Sequence, residues 1–289
     1  MRARAVSRFY VAVPLSTVLM GSVAGLLLDL QGRLGLAGWQ WLFLIEGLPA
    51  LILSVIFFMY LPDTPENASW LTSGERAWLL DRVGKERTEG KIAHTDDILP
   101  ALLDYRVVLL GIIYFCSIGS AYAYALSAPL IIQKLTGFTA TRVGLVVAGM
   151  SLFNALCVLL VPLHSDRTGE RFWHIAIPAV FATMGFLIGG HSSTPLVGIV
   201  ALAFGQAGLV SAHPVIWSLP ASFLRDKSAA AGIAAISSLG IFGGFLGPIW
   251  MGRMRDATQS YSIGIMCLAI PTLVIAATAL YMKKLARSN

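Results

Sequence analysis

Few polar side chains interrupt the apolar stretches of this sequence, and those few could do chemistry. Glu46 lies seven residues into the run 39–61, roughly 10 Å along a helix that rises about 1.5 Å per residue. An acid at that depth must be protonated, paired or facing water. It could carry a coupling proton, or it could be a structural acid bonding a neighbouring helix. The run 195–219 holds Gln206, His213 and Trp217. His213 and Trp217 are four apart and share a helical face. An imidazole and an indole facing a wet cavity could contact an anionic ligand, and His213 could titrate near neutral pH. Both could equally be helix–helix contacts, with Pro214 making a kink. Tyr114 and Tyr122 are eight apart and nearly on one face. Tyr122 is the better cavity candidate, because tyrosines nearer the ends of a run read as interfacial anchors. Asn154 sits in the middle of the run 143–163, where its amide could bond across helices or touch a ligand.

The elements that must hold these residues follow from composition. Of 289 residues, 56% are hydrophobic and 12% charged, about half the charged share of a soluble domain. Mean hydropathy is +0.75. Such a chain cannot build a polar surface, so its solvent is lipid. A bilayer core about 30 Å thick needs about 20 mostly apolar helical residues per crossing. Eight runs qualify: 9–28, 39–61, 107–132, 143–163, 173–190, 195–219, 229–251 and 261–282. In hydrocarbon they must be helices, because unpaired backbone groups are too costly there. Only His191-Ser192-Ser193-Thr194 separates the fifth from the sixth, so these two form a tight hairpin. The first run comes after Arg2, Arg4 and Arg8 and could be read as a signal peptide. It reads better as a span. It is about as long as a crossing needs, it contains Pro14, Gly21 and Gly25, and another span comes next. The expected fold is an all-α polytopic bundle of eight spans.

Loop charge gives the expected topology. With the N-terminus in the cytoplasm, sixteen of the 21 basic residues fall inside, as the positive-inside bias requires. Both termini are then cytoplasmic, and the net charge of +6 needs no nucleic acid to explain it. The polar stretch 62–106 is a central cytoplasmic loop, with a capping box at Thr72 and Glu75. It separates two spans in 1–61 from six in 107–289. Cys116, Cys157 and Cys267 are widely spaced inside apolar runs and read as buried small hydrophobes. There is no P-loop, HExxH, nucleophile elbow or metal-ligand cluster, so neither an enzyme nor a cofactor is expected.

Six spans behind a long cytoplasmic loop make one half of a 6+6 transporter, and several stretches carry a specific resemblance. Gly38-Trp39-Gln40-Trp41-Leu42-Phe43-Leu44-Ile45-Glu46-Gly47-Leu48-Pro49-Ala50 resembles the sixth helix of the anion:cation symporter branch of the major facilitator superfamily. Tyr60-Leu61-Pro62-Asp63 is similar to that helix's exit, and Trp70-Leu71-Thr72 with Glu75-Arg76 to the start of the branch's central loop. His164-Ser165-Asp166-Arg167-Thr168-Gly169-Glu170-Arg171 resembles the loop between helices eight and nine. Ala229-Ala230-Ala231-Gly232-Ile233 and Gly243-Gly244-Phe245-Leu246-Gly247-Pro248 resemble helix eleven. The branch includes tartrate, phthalate, hexuronate and glucarate permeases.

The resemblance implies a partial major-facilitator fold holding helices five to twelve, without the first four. It implies alternating-access transport of a small organic anion, with protons, across the cell's inner membrane. A non-transporting fragment of such a transporter is the competing expectation. The family's anion-binding arginine and proton-coupling carboxylates are expected on helices one and four, so no residue here inherits those roles. Helix seven lines the family's cavity, which favours Tyr122. The branch often carries asparagines where this chain has Ser237 and Ile241, leaving Ser237 as the candidate contact on helix eleven. Asp166, Arg167, Gly169 and Arg171 imply a conformational latch: Asp166 accepts bonds from an arginine or a helix N-terminus. A plain positive-inside anchor is the alternative. The motif departs from the family at Pro162 and Phe172.

Overall fold

The computed structural model describes residues 10–90, 102–224 and 226–288. Arg2, Arg4, Arg8, Lys91 and Arg225, which contribute to the charge argument, lie outside the described residues. Among those described there is helix and no strand. In chain order the α-helices are α1 (Ala12–Leu28), α2 (Gly38–Tyr60), α3 (Ser73–Gly90), α4 (Tyr105–Thr136), α5 (Ala140–Thr168) and α6 (Trp173–His191). Then come α7 (Pro195–Ser211), α8 (His213–Ile216), α9 (Pro220–Phe223), α10 (Asp226–Thr258), α11 (Ser262–Cys267) and α12 (Ala269–Ser288).

Among the described residues seven stretches are long and apolar enough to cross a membrane: α2, α4, α5, α6, Pro195–Ile216, Ala229–Thr258 and Ser262–Ala286. The hydropathy pattern predicts eight. The difference is α1, which is apolar but has 17 residues, about 25 Å at 1.5 Å per residue. Several helices outrun their apolar windows. The longest, α4 and α10, have 32 and 33 residues. Polar ends such as Lys134 and Arg255 still favour helix, and they emerge where water can solvate them. Two expected continuous spans are broken instead. Pro214 has no N–H to give to Val210, so the helix breaks at Ala212 between α7 and α8. Pro271 likewise cannot bond Cys267, where α11 ends.

The chain gathers into two compact units, Met1–Val23 with Ile98–Asn289, and Ala24–Asp97. In the smaller unit α2 buries only Gly38 and exposes an apolar surface that includes Phe43, Leu51 and Phe58. The capping box forms before α3. The Thr72 N–H donates to Glu75 Oε2 at 3.0 Å, and the Glu75 N–H donates to Thr72 Oγ1 at 3.3 Å.

The larger unit is held by two glycine-lined crossings. Along α4 and α10, a Cβ on Gly247 would land on the Gly119 carbonyl oxygen. Along α6 and α7, a Cβ on Gly208 would land on the Pro178 carbonyl oxygen. Small residues are what let helices approach this closely in lipid, where burial against a neighbour gains little over burial against acyl chains. Phe186, Leu110, Ile132, Leu202 and Ile236 fill the interior. Leu126, Leu160, Phe181 and Ile241 stand on the outside. Thr183 and Thr272 meet in the core at 2.8 Å, joining α6 to α12.

Gly247→Leu should therefore destabilise the larger unit by about 1–3 kcal/mol, the usual cost of overpacking. Thermal unfolding in detergent checks this: the variant melts below wild type, whereas Gly252→Leu, with open space around it, does not.

Candidate functional site

A cavity of about 350 Å³ opens inside the larger unit, within the roughly 300–1,000 Å³ range of small-molecule sites. Tyr10 with Val13, Pro14 and Thr17 of α1 form one wall. The others come from α4 (Tyr122 and Tyr124 among them), α5 (Met150, Ser151, Asn154), α7 (Gln206, Val210) and His213 of α8. Four residues singled out from the sequence thus line one space: Tyr122, Asn154, Gln206 and His213.

The others lie elsewhere. Trp217 comes just after α8 and reaches the cavity through aromatic neighbours. Its ring meets Tyr114 edge-on at 4.9 Å, Tyr114 meets His213 at 6.0 Å, and His213 meets Tyr10 at 6.1 Å. Ser237, half-buried on α10, is not among the lining residues. Its candidacy rests on family likeness alone, and Gly243 and Gly247 carry the α4 contact on that helix. Glu46 belongs to the smaller unit, half-buried on α2.

His213 is 6% exposed, and its Nε2 lies 2.8 Å from the Ser117 hydroxyl. That bond joins α8 to α4 and fixes the ring. Three other polar atoms of the lining have no such partner. The Tyr124 hydroxyl, Asn154 Oδ1 and Gln206 Oε1 are buried and unbonded. A buried polar group left unpaired costs roughly 1–3 kcal/mol, so three facing one space mark a place for something that bonds them. Tyr124 is 3% exposed and Tyr122 54% exposed, so both line the space but only Tyr124 is buried with it. The eight-residue spacing with Tyr114 points to Tyr122. Tyr124 also faces the interior, and its ring packs on Phe186 of α6 at 5.6 Å.

The turn between α5 and α6 forms a second cluster. Gly169 takes φ 69°, the left-handed conformation that ends α5. Asp166, its side chain 7% exposed, pairs with Arg171 at 3.2 Å, and the Arg171 guanidinium also donates to the Ser218 hydroxyl. Arg167 points out. The link to another helix comes from Glu170, which is not among the latch residues the motif implies. One of its oxygens accepts from the Trp173 N–H at 2.7 Å, capping α6. The other meets Lys283 of α12 at 2.9 Å. Lys283 also lies over the Trp173 ring. His164 and His174 share a short contact of 2.6 Å beside them. Burial pushes the Glu170 carboxyl up. Lys283 and the Trp173 N–H outweigh it and hold the group below the usual carboxylate range. Among the described residues no group of three or more His, Cys, Asp or Glu is arranged to hold a metal.

Residues 1–248 match the family profile described as Major Facilitator Superfamily. The chain is 38% identical to a "Putative tartrate transporter" of Agrobacterium vitis over 289 residues, all of this chain and 66% of that protein. A second A. vitis protein of the same description is 38% identical over 98% of this chain and 63% of its own length. A "Quinolone resistance transporter" of Acinetobacter baumannii is 33% identical over 94% of this chain and 63% of its own. The chain thus spans less than two thirds of the length of these relatives.

Because the folded-state pKa of Glu170 is depressed, its contribution to stability is present above the unfolded value, about 4.3, and is lost as pH falls through the folded value. Glu170→Gln should cost about 0.5–1 kcal/mol at pH 7, as expected for a partly exposed pair with a cap. That deficit should shrink below about pH 4. Thermal unfolding of wild type and variant across pH reads it; a deficit unchanged at about pH 3 contradicts it.

Proposed function

We propose, from the premise that this chain belongs to the Major Facilitator Superfamily, that it takes part in secondary active transport of small organic anions such as tartrate or sugar acids. The observation that carries this reading is the cavity. It lies among packed helices and is lined by apolar side chains together with aromatic rings, amides and hydroxyls. The names of the two A. vitis relatives support the substrate class, and their 38% identity exceeds the 33% of the quinolone-related protein.

In this reading the bundle lies in the cell's inner membrane with both termini in the cytoplasm. Local bilayer thinning lets the short α1 serve as the eighth span. Tyr122, Asn154, Gln206 and His213 contact the substrate, and Trp217 backs His213 through Tyr114. Ser237 takes no direct part unless α10 moves. Access alternates as helices rock about the cavity. Gly243 and Gly247 let α10 slide on α4, and the Asp166–Arg171 turn with Gly169 and Arg167 latches the α5–α6 end. Glu46 carries or gates the coupling proton, the role that an acid within an apolar span commonly has.

The test is uptake. Vesicles containing the protein, with an acidic exterior, should accumulate radiolabelled tartrate above protein-free vesicles. A protonophore should abolish accumulation, and Glu46→Gln should remove its dependence on the gradient while exchange persists. If no acid in a panel of tartrate, sugar acids and aromatic acids is taken up, the reading fails. Uptake indifferent to the protonophore removes the proton.

A further inference from the structure

The cavity carries more information than its volume, because the kind of unpaired atom on its walls is specific. Asn154 Oδ1 and Gln206 Oε1 are acceptors, both buried and unbonded. The Tyr124 hydroxyl, also buried and unbonded, can donate or accept. With the amides oriented as they are here, an ionised carboxylate, which has only acceptors to offer, leaves their two oxygens unpaired. A hydroxyl donates to an amide oxygen and accepts from Tyr124. Water could do the same, but a dissolved hydroxyl loses its own water on entering, so a matched wall repays it in kind.

Charge points the same way. Among the described residues no lysine or arginine lines the cavity, and no Asp or Glu. A carboxylate pressed against this wall would be desolvated without a cation, which is far costlier than desolvating a hydroxyl. An ammonium group could donate to the amides, but it would find no carboxylate.

We infer that this wall, through Tyr124, Asn154 and Gln206, binds the hydroxyl-bearing carbons of a polyhydroxylated acid and leaves the carboxylates to be held elsewhere. The inference rests on the organic-anion reading and narrows it to hydroxy acids, against aromatic or plain dicarboxylic acids. It makes Tyr124 a specificity-determining residue. A site built to bond a substrate hydroxyl rejects the analogue lacking it, because the wall is then left unpaired.

Three four-carbon probes separate the possibilities. Tartrate carries both hydroxyls and carboxylates, succinate only the carboxylates, and erythritol only hydroxyls. Binding to the full chain in nanodiscs is measured by calorimetry. Tartrate should bind about tenfold or more tighter than succinate. Tyr124→Phe, which keeps the ring, and Asn154→Leu, of similar size, should each weaken tartrate and leave succinate unchanged. Succinate binding as tightly as tartrate overturns this inference and leaves the anion reading standing. Variants that weaken both acids equally also overturn it. Erythritol matching tartrate supports the hydroxyl wall and sinks the anion reading instead. No binding by any of the three overturns both.

Discussion

Hydrocarbon cannot form a hydrogen bond, and every feature of this molecule answers to that constraint. A polar atom among the spans must find its partner within the protein or in water the protein encloses. Thr183 and Thr272 find each other, and Ser117 finds His213. The outward faces carry Leu126, Leu160, Phe181 and Ile241, which ask for nothing. Packing cannot draw on the hydrophobic effect between helices, so it depends on close backbone approach at Gly119, Gly247 and Gly208. Against this background, the unbonded atoms of Tyr124, Asn154 and Gln206 stand out.

The same constraint explains why so much is legible in the amino-acid sequence. Run length alone locates the hydrophobic helices, because a crossing has a fixed length and must be helical. Thr72 and Glu75 announce the start of α3 by their spacing. The helix ends are less legible. Residues such as Lys134 and Arg255 lower the local hydropathy without ending a helix, so α4 and α10 extend past their apolar windows. The breaks at Ala212 and Leu268 are half visible. Pro214 reads as a kink, whereas Pro271 lies in an apolar run whose hydropathy hides the break.

Legibility within the site varies by residue type. Asn154, Gln206 and His213 are easy to find because a polar side chain in an apolar run has few reasons to be there. Tyr124 is harder, since a tyrosine can serve as an interfacial anchor, and which side of α4 faces inward depends on packing against α6. Ser237 is a candidate by likeness rather than by physics, and it sits outside the lining. Glu170 is hidden because it lies in a polar turn where acids are unremarkable. Its partner Lys283 is 113 residues away, and no local pattern links the two.

In the proposed arrangement this bundle has a wet interior wall and a dry exterior one. Thiol labelling tests it most directly. In a background without Cys116, Cys157 and Cys267, single cysteines replace Tyr124 and Asn154, or Leu126 and Leu160, in membranes. A charged, membrane-impermeant reagent should label the first pair and leave the second unreacted. Equal labelling of both pairs, or labelling of the outer pair alone, would contradict the account.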